Sequence, residues 1–179
     1  MNFGKNYKLI ATWLSIGALL TACAYKAPEG VNVVDGFDAK RYAGTWYEIA
    51  RLDNRFEQGL EKVSATYTLN KDGGLDVLNQ GWSPASDEWE KAEGHALFVS
   101  TPDKGSLKVS FFGPFYGGYH IIALDKQNYR YAMLTGSDKS YFWILSRSKT
   151  LPKDILDSLL AQAQQQGFAT DKLIFVKQY

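Results

Sequence analysis

The chain has one cysteine, Cys23, in 179 residues, which excludes an intrachain disulfide as the staple of its fold. Histidine is almost as scarce: His95 and His120 are the two present, and they fall on different strand-like runs. Two isolated imidazoles lack the spacing and the third donor that a zinc site requires, so neither a metal nor a cofactor is expected. No Gly-x-Ser-x-Gly elbow occurs, and the carboxylates form no paired pattern that would suggest acid–base chemistry. The glycine-rich stretch Gly113-Pro114-Phe115-Tyr116-Gly117-Gly118 leads into a strand-like run, so it offers no helix-terminus amides to a phosphate. Charge of either sign is also in short supply as a surplus: Lys+Arg 20 against Asp+Glu 19 leaves +1, and no nucleic-acid partner is expected.

Long apolar runs are confined to the N-terminus. Lys5 and Lys8 precede Leu9 to Leu20, a run too short to span a bilayer comfortably. It ends in Leu20-Thr21-Ala22-Cys23, which resembles the lipobox of bacterial lipoproteins. That resemblance implies a signal peptide over residues 1–22, a diacylglycerol on the Cys23 thiol and acylation of its new amine. The acyl chains would anchor firmly, at roughly 0.8 kcal/mol per buried methylene. Ala24 stands where inner-membrane retention signals usually place Asp, which points to the outer membrane, with the periplasmic face expected. Residues 23–30, with Pro28 and Gly30, read as the acylated cysteine and a tether, and residues 31–179 as one domain.

What the domain has in abundance is aromatic side chains, 15% of the chain. They lie on short runs separated by turn signals: Gly44 to Leu52, Glu61 to Leu69, Leu75 to Trp82, Glu88 to Val99, Leu107 to Phe112, Tyr119 to Asp125, Tyr129 to Thr135 and Ser140 to Arg147. Several alternate, as Leu107, Val109 and Phe111 do against Lys108 and Ser110. Locally connected strands of this kind predict an all-β, antiparallel up-and-down barrel, closed so that no edge is exposed. After Pro152 the period changes. Ile155, Leu156, Leu159, Leu160 and Ala163 make one helical face, Gly167 stops it, and Lys172 to Val176 forms a last strand.

Eight strands, one helix and a final short strand resemble the lipocalin fold, and particular residues carry the resemblance. Gly44-Thr45-Trp46-Tyr47 opens the first strand as the family's Gly-x-Trp motif does, and Trp143-Ile144-Leu145-Ser146-Arg147 ends the eighth. Leu124-Asp125 stands in the turn after the sixth strand where many members write Thr-Asp-Tyr, with Lys126 in the tyrosine place. Phe37-Asp38-Ala39-Lys40-Arg41-Tyr42 and Phe111-Phe112-Gly113-Pro114-Phe115-Tyr116-Gly117-Gly118-Tyr119 look like the bacterial outer-membrane lipocalins and their apolipoprotein D relatives. The resemblance implies that Arg147 closes the barrel over Trp46, a structural role. It also implies non-covalent binding of fatty acids or lysophospholipids, in lipid transport, storage or envelope maintenance.

Counting in twos from Trp46 directs Glu48 and Ala50 inward, and counting back from Arg147 directs Leu145, Trp143 and Tyr141 inward. Alignment to the family's pocket-facing positions adds Ala65, Tyr67, Val77, Asn79, Ala96, Leu107, Val109, Phe111, Tyr119, Ile121 and Leu134 as lipid contacts. Glu48 needs a partner inside: a ligand headgroup, a water, Arg147 or a tyrosine. Arg51, Asn54, Arg55 and Phe56 are placed in the first large loop, where cations beside aromatics suit an anionic lipid at the rim. Phe115 and Tyr116 suit a protein contact, so a homodimer or an envelope partner docked on this turn is the alternative. A lipid-modifying enzyme is the remaining one.

Overall fold

A computed structural model describes residues 25–179, so the signal segment and Cys23 lie outside the described residues. Eight strands, β1 (Gly44–Arg51), β2 (Glu61–Leu69), β3 (Leu75–Ser83), β4 (Glu88–Phe98), β5 (Ser106–Phe112), β6 (Phe115–Leu124), β7 (Tyr131–Thr135) and β8 (Phe142–Ser146), pair antiparallel in sequence order. β1 hydrogen-bonds to both β2 and β8, which closes the sheet on itself. Alternating connections therefore lie at opposite ends. The β1–β2, β3–β4, β5–β6 and β7–β8 connections form the mouth, and the other three form the base together with α1 (Ala39–Tyr42). Turn chemistry fixes the hairpins locally: at the base, Asn70 Oδ1 accepts from the backbone N–H groups of Asp72 and Gly74.

The strands carry two separate apolar clusters because both of their faces are covered. Inside the barrel, Tyr42, Trp46, Tyr67, Val77, Leu107, Ile121 and Leu134 belong to one buried set. Outside, α2 (Lys153–Gln165) lays Leu159 and Ala163 against Ile49, Ala50, Ile122, Met133, Phe142 and Ile144. Pro152 precedes that helix and Gly167, at φ +81°, ends it. No helix among the described residues is long and apolar enough to cross a membrane.

One irregularity redirects the first strand. β1 carries a bulge against β8 between Glu48 and Ala50, so the count in twos fails there. Ala50, expected inside, lies in the outer cluster beneath α2. Arg51, expected in the loop, is the last residue of β1, is buried, and faces the same way as Trp143, its partner across β8. Beyond the bulge β1 parts from β2 and takes up β9 (Ile174–Phe175) instead. The C-terminal chain fills the seam: Gln178 Nε2 donates to Glu48 O at 2.8 Å and to Val63 O at 2.9 Å, joining the two strands where their own ladder has stopped. The sixth strand begins earlier than expected, at Phe115, and the last is shorter, because only Ile174 and Phe175 reach the ladder.

Candidate functional site

The base of the barrel is closed by Trp46 and Arg147. The guanidinium of Arg147 stands 4.0 Å from the Trp46 ring centroid and donates to the carbonyls of Arg41, Tyr42, Ala43 and Thr45 at 2.9–3.0 Å. The indole Nε1 donates to Tyr42 O at 2.8 Å. Gly44 makes room for this. Its φ is +100°, and a Cβ there would sit 3.1 Å from Arg147 Nη1, so the Gly-x-Trp spelling follows from the geometry of the arginine above it. The turn after β6 holds without its usual tyrosine: Asp125 accepts from Arg130 Nε at 2.8 Å and from Asn128 N at 3.2 Å. A tyrosine from further along, Tyr129, enters the base, and its hydroxyl accepts from Asp38 N at 3.0 Å.

Three phenols meet inside. Tyr119 Oη lies 2.7 Å from Tyr42 Oη and 2.8 Å from Tyr67 Oη, so their polar ends satisfy one another. Burial pushes all three phenols up, which keeps them neutral. They present the interior with ring faces and no charge.

Charge appears only nearer the mouth. Arg51 Nη1 donates to Glu48 Oε1 at 2.7 Å, the two side chains being 2% and 3% exposed. Arg51 Nη2 also donates to Glu57 O at 2.7 Å and Leu60 O at 3.2 Å, tying the β1–β2 loop down over the barrel. The same loop is held by its own side chain: Glu57 Oε2 accepts from Trp143 Nε1 at 2.8 Å and from Asn54 Nδ2 at 2.7 Å. Arg51 is thus the partner of Glu48, in place of Arg147 or a tyrosine.

Burial, followed by the nearby Glu57 carboxylate, raises the Glu48 carboxyl well above its ordinary value near 4.5, and Arg51 opposes this. The folded protein then holds a proton that the unfolded chain releases. The contribution of this group to stability is fully present below about pH 4.5 and is lost as pH rises toward the raised value. Glu48→Gln, which cannot ionise, is expected to match the parent near pH 4 and to gain on it as the pH rises from there. Urea midpoints at pH 4 and at neutral pH measure this; a constant difference between the proteins would contradict it.

The expected lipid contacts gather as follows. Tyr67, Val77, Ala96, Leu107, Ile121 and Leu134 lie in the inner cluster, and Ala65, Val109, Phe111, Tyr119 and Trp143 pack against it half-buried. Asn79 pairs with Ala65 across β2 and β3, and its Oδ1 is buried without a hydrogen-bond partner. Tyr141 precedes β8 at the mouth, stacked on Trp143 at 6.0 Å and 21°. Arg51 is the residue that the inward count missed; it has one buried nitrogen, Nε, without a partner. Phe115 and Tyr116 fall at the same end as Phe56. His95 bonds the Tyr116 hydroxyl at 2.7 Å and His120 faces Ser106 Oγ at 3.0 Å, so the two imidazoles serve separate strands. Among the described residues no three side chains form a metal-ligating group.

Comparison with known proteins agrees with this architecture. A family model described as a lipocalin-like domain matches residues 37–178. The outer membrane lipoprotein Blc of Citrobacter freundii is 55% identical over 161 residues, covering 89% of this chain and 90% of that protein. Temperature-induced lipocalin-1 of Arabidopsis thaliana is 35% identical over 152 residues, covering 80% of each. Among solved structures, insecticyanin from the tobacco hornworm Manduca sexta superimposes with a TM-score of 0.67 at 26% identity, covering 85% of this chain and 86% of that one. The closed barrel, its arginine-capped tryptophan and these matches together make this chain a member of the lipocalin family.

Proposed function

We propose that this lipocalin holds one single-chain lipid, a fatty acid or lysophospholipid, with its tail in the barrel and its headgroup toward the mouth. The protein is a lipid-anchored lipocalin of the outer membrane, in keeping with its Leu20-Thr21-Ala22-Cys23 sequence and with the naming of its enterobacterial relatives as outer membrane lipoproteins. The observation that carries the ligand reading is the gradient inside the barrel. Neutral rings and aliphatic side chains line the lower part, half-buried walls at Ala65, Val109 and Tyr119 leave space, and Glu48 and Arg51 supply polarity above. The unpaired Arg51 Nε and Asn79 Oδ1 are the polar atoms that a headgroup or its water would satisfy. The role is binding, with no residue assigned to chemistry.

Affinity should follow tail length, because each buried methylene contributes about 0.8 kcal/mol, or roughly a fourfold change in Kd. Native mass spectrometry of the protein purified from membranes is expected to show about one lipid per monomer or per dimer, and titration with a lysophospholipid series should show that slope up to a limiting length. A folded protein that arrives empty and ignores added lysophospholipid would overturn the proposal. Exposed Phe112 and Phe115 would then favour the second reading, an envelope interaction protein or homodimer contacting through the β5–β6 hairpin.

A further inference from the structure

One side chain interrupts the apolar wall of the barrel at mid-height. Asn79 is the midpoint of β3 and lies on the inward face, in a cross-strand row that runs from Trp46 on β1 through Ala65 on β2 to Ala92 on β4. The alanine on either side offers an amide nothing to bond. Asn79 Oδ1 is buried without a hydrogen-bond partner, and Nδ2 bonds to none of the described residues. Asparagine is disfavoured in strands, and an amide taken from water with nothing to bond lowers stability further. A leucine would fill the position without either penalty, so folding alone gives no reason for the amide.

The phenols beneath it are also one bond short. Tyr42, Tyr67 and Tyr119 bring three O–H groups together and make two hydrogen bonds, Tyr42 with Tyr119 and Tyr67 with Tyr119. Each bond consumes one hydrogen, so one O–H of the three has no acceptor among the described residues. Tyr67 pairs with Val77, the inward neighbour of Asn79 on β3, which makes Tyr67 and Asn79 diagonal neighbours across the two strands. Such positions are separated by about 7–8 Å, a gap that long side chains span. The amide oxygen needs a donor and the phenol needs an acceptor. A hydroxyl between them answers both, accepting from the phenol and donating to Oδ1. A carboxylate has no hydrogen to give Oδ1 and would stand unpaired among neutral groups.

Height decides which part of a lipid arrives there. Ser83 ends β3 at the mouth, roughly 13 Å from Asn79 along the strand at about 3.3 Å per residue. Glu48 and Arg51, the polar pair that suits a headgroup, lie further along β1 toward the mouth than Trp46, the β1 residue in the Asn79 row. A headgroup held by that pair brings the middle of its tail to Asn79. We infer that the barrel selects a single-chain lipid whose tail carries a hydroxyl near its middle, seated between the Asn79 amide and the phenols of Tyr67 and Tyr119. The inference rests on the lipid-carrier reading above and names the tail chemistry. An unsubstituted tail enters the same tube, but it leaves the amide and the phenol unpaired, and that difference makes Asn79 a specificity-determining residue.

Oleoyl and ricinoleoyl lysophosphatidylcholine differ only in a mid-chain hydroxyl and supply the test. The mature lipidated protein in mild detergent is offered both in equal amounts, and native mass spectrometry counts which of them it carries. The parent is expected to favour the ricinoleoyl lipid about tenfold, the effect of satisfying buried polar groups that are otherwise unpaired. Asn79→Leu should lose that preference while holding the oleoyl lipid at least as well as the parent does. Comparing the two proteins in one mixture cancels any difference in how the lipids enter micelles. Asn79→Ala adds no bulk and should show the same loss, so the result does not depend on the leucine variant folding. Offered in place of the ricinoleoyl lipid, α-hydroxyoleoyl lysophosphatidylcholine, with its hydroxyl beside the ester, should compete no better than the oleoyl lipid. Equal loading of the oleoyl and ricinoleoyl lipids in the parent would overturn the inference and leave the amide to a water. A preference that survives in both Asn79 variants, or one shared by the α-hydroxy isomer, would overturn it too. These three outcomes leave the carrier reading standing. Failure to load any of the lipids is the separate result that removes the carrier reading, and the inference falls with it.

Discussion

Trp46→Ala is expected to lower the unfolding free energy by about 3–5 kcal/mol, the range for deleting a fully buried large aromatic side chain. The side chain has no exposure, and its ring packs on Tyr42 at a 4.7 Å centroid separation. Its removal also takes the apolar face from beneath Arg147, whose guanidinium draws the carbonyls of residues 41–43 and 45 to one point. Without the indole, that guanidinium has water on one side, the α1 connection loses its fixed position, and Tyr42 O loses the Nε1 donor. Arg147→Lys tests the polar half of the same device. A single ammonium cannot reach carbonyls spread around a planar fork, so a loss of about 2 kcal/mol is expected despite the retained charge. Urea unfolding measures both, and the midpoint should fall with little change in slope if the barrel still unfolds as one unit. A Trp46→Ala loss below about 1 kcal/mol would mean that the base is held by something other than this pair.

That pair was legible in the sequence because its parts are fixed by local rules. Gly44 needs a positive φ and the absence of a Cβ, Trp46 lies two residues on along the same face, and Arg147 directly follows the strand that pairs with β1. The strand outline was legible for a similar reason, since turn residues such as Asn70, Gly73 and Gly74 punctuate it where the backbone must reverse. The upper half of the barrel was less so. A count in twos assumes an unbroken ladder, and the bulge between Glu48 and Ala50 adds one residue to β1 only. The displaced parity put Ala50 inside and Arg51 in solvent, the reverse of what the fold does. Nothing local announces the bulge, because it accommodates distant partners: β9 replacing β2 alongside β1, and Gln178 spanning the seam from the far end of the chain. The tyrosine trio was half visible. Tyr67 and Tyr119 are inward positions that the family resemblance supplies, whereas Tyr42 reaches them from α1, outside any strand pattern.

Ala65→Trp should abolish lipid binding while leaving the barrel folded, with affinity falling at least about a hundredfold if the added ring occupies the space of several tail methylenes. Ala65 is a suitable site because its neighbours define its direction. It stands opposite Trp46 on β1 and Asn79 on β3, which makes it inward-facing, and it is half-buried although strands surround it. A methyl side chain with residual exposure on an interior face means open volume in front of it. An indole there would project between the phenol layer and the Glu48–Arg51 pair, across the path of a tail. Overpacking of a filled core would cost about 1–3 kcal/mol, so the stability of the variant reports independently on whether that volume exists. A small stability change together with lost binding identifies an occupied cavity; a large loss of stability identifies an interior already filled by its own side chains. Thr68→Trp, three residues along β2 on the outward, exposed face, controls for the bulk of the substitution and should bind lipid as the parent does. If Ala65→Trp bound the lysophospholipid series with the parent's chain-length slope, the tail would have to lie elsewhere than between β2 and β3, and the interior assignment would fail even with the fold intact.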